Sequence, residues 1–197
     1  MKPQTTRILL ILCSFALGLG LCLGAIVWLT GNGPAVTAAS AVGGPFRLTD
    51  QDGRAISDEN FRGKPFLVFF GFTHCPDVCP TTLFEVSEIM RRLGPDADKT
   101  SALFITVDPE RDTPDKMKDY LSSFDPHLKG ATGDLTTIAA VAKAYRVYYK
   151  KVPTEGGDYT MDHTAIVYLM DKNGHFVTPF NLRRKPEDAA MDLKKYF

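Results

Sequence analysis

Phe69-Phe70-Gly71-Phe72-Thr73-His74-Cys75-Pro76-Asp77-Val78-Cys79-Pro80 joins a run of large apolar residues to two cysteines and two prolines. The run Phe66–Phe70 has no polar alternation, which reads as a strand covered on both faces. Pro80 disfavours α geometry at Cys79 but itself suits the first helical position. Cys79 is therefore expected at or just before a helix N-terminus. Leu83, Val86, Met90 and Leu93 give that helix an apolar stripe. Cys75 then falls in the loop between strand end and helix start, at the carboxyl edge of a sheet, where α/β sites collect.

Two further apolar runs, Leu103–Val107 and Ala165–Met170, read as buried strands of the same kind. Thr113 caps a helix opened by Pro114, with Met117, Tyr120, Leu121 and Phe124 on one face. Asp134 caps another, with Leu135, Ile138, Ala142 and Tyr145 inward. Asn173-Gly174 is a tight-turn signal that sends His175–Phe180 back as a strand. Pro186 opens a last helix, with Ala189, Leu193 and Phe197 on one face. The order is strand, helix, strand, helix, helix, hairpin, helix. That predicts an α/β fold: a thioredoxin-like mixed sheet flanked by helices over 46–197.

The chain has 197 residues, 44% of them hydrophobic, and equal numbers of basic and acidic side chains, 23 of each. Apolar content this high with zero net charge excludes dominant disorder, and the absence of a basic excess argues against nucleic-acid binding. Up to Gly44 the only charged side chains are Lys2 and Arg7, so 21 basic against 23 acidic residues follow them. Ile8 to Thr30 holds 23 residues without a charge, roughly 34 Å as a helix, enough to cross a hydrocarbon core. Residues 1–7 are then expected as a cytoplasmic tail, 8–30 as a transmembrane helix, and Gly/Ala/Pro-rich 31–45 as a flexible linker. A cleaved signal peptide, cut near Ala39-Ser40-Ala41, is the rival; its apolar core would be about 7–15 residues. Lipid attachment at Cys22 is disfavoured by bulky Leu21 before it. In both cases the folded part is exported, where thiols tend to oxidise. Cys13 and Cys22 read as apolar members of the span. A span this near residue 1 favours a bacterial inner membrane with a periplasmic domain; the alternative is the mitochondrial inner membrane, facing the intermembrane space.

The two exported cysteines, Cys75 and Cys79, are thus four positions apart, with three residues between them. A helix N-terminus favours thiolate over thiol and is expected to lower the cysteine pKa. Two thiolates on such a loop converge on one metal ion or join in a disulfide. For a third ligand, His163 is the best candidate, because it immediately precedes the third apolar run and so sits at a sheet end. His74 adjoins Cys75 but follows Thr73 in the strand exit, which can point it away; His127 and His175 read as surface residues. Two thiolates and an imidazole suit Cu(I) and Cu(II); zinc accepts the same set. Without metal the same cysteines make a thiol–disulfide oxidoreductase. A peroxiredoxin-type peroxidase is disfavoured, since Arg62 and Lys64 are not close to the cysteines in spacing. Asp77 is either a turn or capping carboxylate or a group that hydrogen-bonds the ligand loop or a partner. Asp162 is the same case, although alternation points it away from His163. Asp108-Pro109 reads as a structural turn, and Met161 as packing.

The opening stretch resembles the signature of the Sco/SenC family. Val107-Asp108-Pro109-Glu110-Arg111-Asp112-Thr113-Pro114 and Asp158-Tyr159 through Asp162-His163-Thr164 resemble its second and third motifs, in the same order. The resemblance runs from about Pro45 to Phe197. It implies a thioredoxin-like fold that binds one copper ion through Cys75, Cys79 and His163. It also implies a role in maturing the dinuclear copper centre of cytochrome c oxidase subunit II, by copper delivery, by reduction of that centre's cysteines, or both. Other copper chaperones are implied as partners.

Overall fold

The computed structural model of the chain describes residues 13–26 and 42–197. The chain divides after Ser40, and Ala41–Phe197 is one compact unit. Residues 13–26 form a solvent-exposed helix, α1. Among the described residues no helix is long and apolar enough to cross a membrane. Positions 8–12 and 27–30 of the expected span, and 31–41 of the expected linker, lie outside the described residues.

The compact unit is built on a seven-stranded mixed sheet with strand order β2-β1-β5-β4-β3-β8-β9. Its centre is β3 (Phe66–Gly71) and β4 (Ser101–Thr106), paired in parallel. Every residue of β3 is buried, as an apolar run without alternation predicts for a strand covered on both faces. β8 (Val167–Met170) runs antiparallel to β3, with Phe69 opposite Val167. The start of β8 therefore lies at the carboxyl end of β3. That pairing carries the segment before Val167 to the cysteine loop.

Helix α2 (Val78–Leu93) buries Leu83, Val86, Met90 and Leu93, the predicted stripe, and packs against α5 (Pro186–Leu193). Thr113 caps α3 (Pro114–Leu121) by accepting the Lys116 amide, and Asp134 caps α4 (Leu135–Ala144) by accepting that of Thr137. Gly174, at φ 81°, makes the turn into β9 (Phe176–Pro179).

Several expectations are corrected. Leu135 and Phe197 are exposed, because α4 turns its first residue outward and the last helix ends at Leu193. Ala165 and Ile166 are also exposed, and β8 begins two residues later than the apolar run. Five strands went unseen. β1 (Arg47–Asp50) and β2 (Ala55–Ser57) form an edge hairpin. β5 (Leu128–Thr132) lies between α3 and α4 and extends the sheet beside β4. β5 carries only one large apolar residue, because α3 packs directly onto Gly130: a Cβ there would meet Leu121 at 2.6 Å and Met117 at 2.8 Å. β6 (Tyr149–Pro153) and β7 (Tyr159–His163) form a separate two-stranded ribbon.

Candidate metal centre

The site forms where β3 gives way to α2. Asp77 occupies the N-cap position, so Val78, Cys79 and Pro80 are the first three helical residues. Pro80 tolerates the third position because its missing N–H is one that a helix start leaves unpaired anyway. Cys79 is thus inside the first turn, two positions further in than predicted. Its side chain is fully buried. The strand end must make room for it: a Cβ on Gly71 would stand 2.7 Å from Cys79 Sγ and 2.7 Å from the Phe104 ring.

Burial decides the charge state of Cys79. It pushes the thiol well above its ordinary value, so the lowering expected from the helix N-terminus does not prevail at this residue. The N-terminal N–H groups serve the other sulfur. The Cys79 amide donates to Cys75 Sγ at 3.4 Å, while the Cys75 amide donates to the Phe72 carbonyl at 3.3 Å. Cys75 is half-buried in the loop. Both cysteines are free thiols.

His163 ends β7. Its Nδ1 lies 3.2 Å from the carbonyl oxygen of Thr164, which can only accept, so Nδ1 carries the proton. The lone pair of Nε2 then faces Cys79 Sγ at 3.5 Å. The rings of Phe69 and Phe72 stand edge-on around the imidazole, with centroids at 6.1 and 5.8 Å. Burial holds the His163 pKa below its usual value, which keeps the ring neutral and its nitrogen available to a metal. The two sulfurs and an imidazole nitrogen of His163 all lie within 4.8 Å of one another. Among the described residues no other set of histidine, cysteine and carboxylate groups converges in this way.

The other candidates separate cleanly. His74 turns to Thr73 Oγ1 at 3.2 Å and to the Asp112 carboxylate, outside the ligand set. His127 lies between Asp125 and Asp98, and the His175 side chain is 79% exposed. Met161 is buried and packs. Asp162 is exposed on the outer face of β7, as alternation predicted. Asp77 makes no side-chain capping bond, which overturns its capping role; it is exposed on the rim of the site.

Sequence reasoning missed the residue that holds the cysteine loop. Asp112 is fully buried and accepts from the Thr73 amide at 3.0 Å and from the hydroxyls of Thr73 and Thr106, both at 2.6 Å. It ties the β3 exit to the β4–α3 loop. The predicted turn at Asp108 holds, with the Asp112 amide on the Asp108 carbonyl at 2.9 Å. Asp112 lies within the second motif, but a carboxylate in a polar turn gives no sequence sign that it is buried.

The sequence pattern of the SCO1/SenC family matches residues 34–197. The structure of Bradyrhizobium japonicum ScoI with copper bound superposes with a TM-score of 0.78 at 67% identity, covering 80% of this chain and all of that one. The mitochondrial SCO1 homolog 1 of Arabidopsis thaliana is 41% identical over 147 residues, 74% of this chain. That match spans 44% of the Arabidopsis protein's length. The SCO2-like protein RP587 of Rickettsia prowazekii is 37% identical over 158 residues, 79% of this chain and 75% of that protein.

Proposed function

The chain belongs to the SCO1/SenC family, and on that premise we propose that it is a copper chaperone. One copper ion is held by Cys75 Sγ, Cys79 Sγ and His163. The observation that carries the reading is the convergence of these ligand atoms within 4.8 Å at a buried sheet end. Two sulfurs suit Cu(I), and the neutral imidazole extends the set to Cu(II). Binding releases the thiol protons, and the raised pKa of Cys79 makes uptake favour higher pH. Transfer is ligand exchange: a partner's thiolates replace Cys75 first, because it is the less buried residue of the two. The receiving site is the dinuclear copper centre of cytochrome c oxidase subunit II, and other copper chaperones load the protein. Residues 8–30, charge-free over 23 positions, anchor the domain. The home is a bacterial inner membrane with the domain in the periplasm, or the mitochondrial inner membrane.

One observation favours a second activity at the same site, reduction of that centre's cysteines. Cys75 is half-buried with a helix N–H on its sulfur, while Cys79 is fully buried. That suits Cys75 as attacking thiolate on a partner disulfide, forming a mixed disulfide. Cys79 then attacks Cys75 Sγ and releases the partner's dithiol, and the electron pair comes from the Cys75–Cys79 pair, left oxidised.

Copper stoichiometry on the reduced 197-residue chain in mild detergent tests the first reading. We expect one copper per chain, lost in Cys75→Ala and in Cys79→Ala. His163→Ala weakens Cu(II) more than Cu(I). No copper bound under reducing conditions overturns the chaperone reading and leaves the dithiol one.

A further inference from the structure

The ribbon that carries His163 is paired only with itself, β6 with β7, so side chains set its pose against the domain. Strand alternation puts Tyr159, Met161 and His163 on one face and Thr160 and Asp162 on the other. Met161 is buried and fills space, and apolar packing of a flexible side chain fixes direction poorly. Tyr159 is held on three sides. The Arg111 guanidinium lies 3.7 Å from its ring centroid, and Lys151 Nζ lies 4.0 Å from it. Its hydroxyl donates to the buried Asp108 carboxylate at 2.9 Å. Arg111 is itself fixed: Nε donates to Asp108, and Nη1 donates to the Tyr159 carbonyl at 2.9 Å. Lys151 pairs with Glu110. All of these contacts gather at the end of β7 remote from His163, roughly 13 Å away along the strand. At the near end, the Thr164 amide donates to the Tyr148 carbonyl at 2.9 Å, and the Tyr148 amide donates to Thr164 Oγ1 at 3.1 Å. Those two bonds continue the pairing of the ribbon's own strands and do not fasten it to the domain.

We propose that Tyr159 is a positioning residue for His163, a latch that seats the far end of the ribbon on the β4–α3 loop and so keeps the imidazole on the cysteines. With the latch open, the ribbon loses its side-chain seat and twists, the imidazole loses its fixed orientation toward the sulfurs, and the site falls back to two thiolates. The Cys75–Cys79 pair does not depend on the ribbon's backbone, so the latch governs the nitrogen ligand alone. Its metal readout rests on the copper reading above; its hydrogen-exchange readout does not.

The test uses the 197-residue chain as Tyr159→Leu, which removes ring and hydroxyl, and Tyr159→Phe, which removes only the bond to Asp108. In the metal-free protein, amides of 159–163 exchange faster in Tyr159→Leu, while those of 66–71 keep wild-type rates. With metal, Tyr159→Leu binds Cu(II) about tenfold more weakly, the low end of the losses seen when the groups that orient a ligand are removed. Its thiolate-to-Cu(II) absorption and electron paramagnetic resonance spectrum move toward those of His163→Ala, and Cu(I) affinity holds. Tyr159→Phe falls between, and it carries the same comparison if the leucine variant fails to fold. The double variant Tyr159→Leu/His163→Ala binds Cu(II) no more weakly than His163→Ala alone. Wild-type exchange with a wild-type Cu(II) spectrum overturns the latch, and so do losses that add in the double variant. A wild-type chain that binds no copper in either state sinks the copper reading, and ribbon exchange then decides the latch by itself.

Discussion

The cysteine loop and the histidine ribbon supply ligands to one point but are built to different standards. The loop leaves the fully buried centre of the sheet, enters a 16-residue helix, and is tied down by a carboxylate buried beneath it. The ribbon stands outside the sheet on one buried methionine, the half-buried Tyr149 and the Tyr159 clamp. Thiolates in a tight cradle hold a soft ion with little reorganisation. A nitrogen on a lightly held arm is easier to add and withdraw. That difference suits the proposed uptake and release of one ion.

The largest expected effect comes from breaking the loop's foundation. Asp112→Ala strands the Thr73 amide and two hydroxyls and should cost about 3 kcal/mol of stability. Urea unfolding reads the loss, and a change below 1 kcal/mol would mean the loop is held by something else. Gly71→Ala is next. Its Cβ would overlap Cys79 Sγ and the Phe104 ring, each at 2.7 Å, so the sulfur must move. Overpacking of this kind costs about 2 kcal/mol. Copper of both oxidation states should bind more weakly, whereas His163→Ala spares Cu(I); equal losses in the two variants would erase the contrast between loop and ribbon.

How far the sequence carried follows from the same contrast. Phe66–Phe70 announced a two-sided buried strand because nothing in it alternates, and Thr113-Pro114 and Asp134 announced helix starts through local chemistry. The candidate set that converges in the fold was legible in its cysteines, and His163 through its place before a buried strand. β5 was not legible, because α3 takes the room that large side chains would have filled at Gly130. The ribbon was missed because Tyr149–Pro153 buries little and reads as polar loop. Asp112 and Tyr159 owe their importance to partners distant in sequence, which no local pattern encodes. The charge state of Cys79 was misjudged for a related reason: helix position is local, whereas the burial that outweighs it is tertiary.

Within the loop the two sulfurs should differ in reactivity. Cys75 is half-buried and Cys79 fully buried with its thiol pushed up. Iodoacetamide at pH 8, followed by mass spectrometry of the reduced, metal-free protein, should modify Cys75 at least about tenfold faster. Equal rates would show the loop opening faster than alkylation and would narrow its distinction from the ribbon.

The smallest effect belongs to neither region, and that makes it a control. His127 lies between Asp125 at 2.7 Å and Asp98 at 3.1 Å. Burial pulls its pKa down, but the two carboxylates outweigh burial and leave it raised. A raised folded pKa stabilises the protein fully below the unfolded value, about 6.5, and that stability fades as pH rises through the folded value. Wild type should therefore exceed His127→Gln by at most about 1 kcal/mol at pH 6, with the gap closing by pH 9. Urea midpoints at the two pH values read it. A gap that ignores pH would mean His127 acts as a neutral hydrogen-bond donor to Asp125 alone. Copper binding should be the same in both proteins, since His127 touches neither the cysteine loop nor the ribbon; a change in Cu(II) affinity would show that stability lost anywhere loosens the histidine arm.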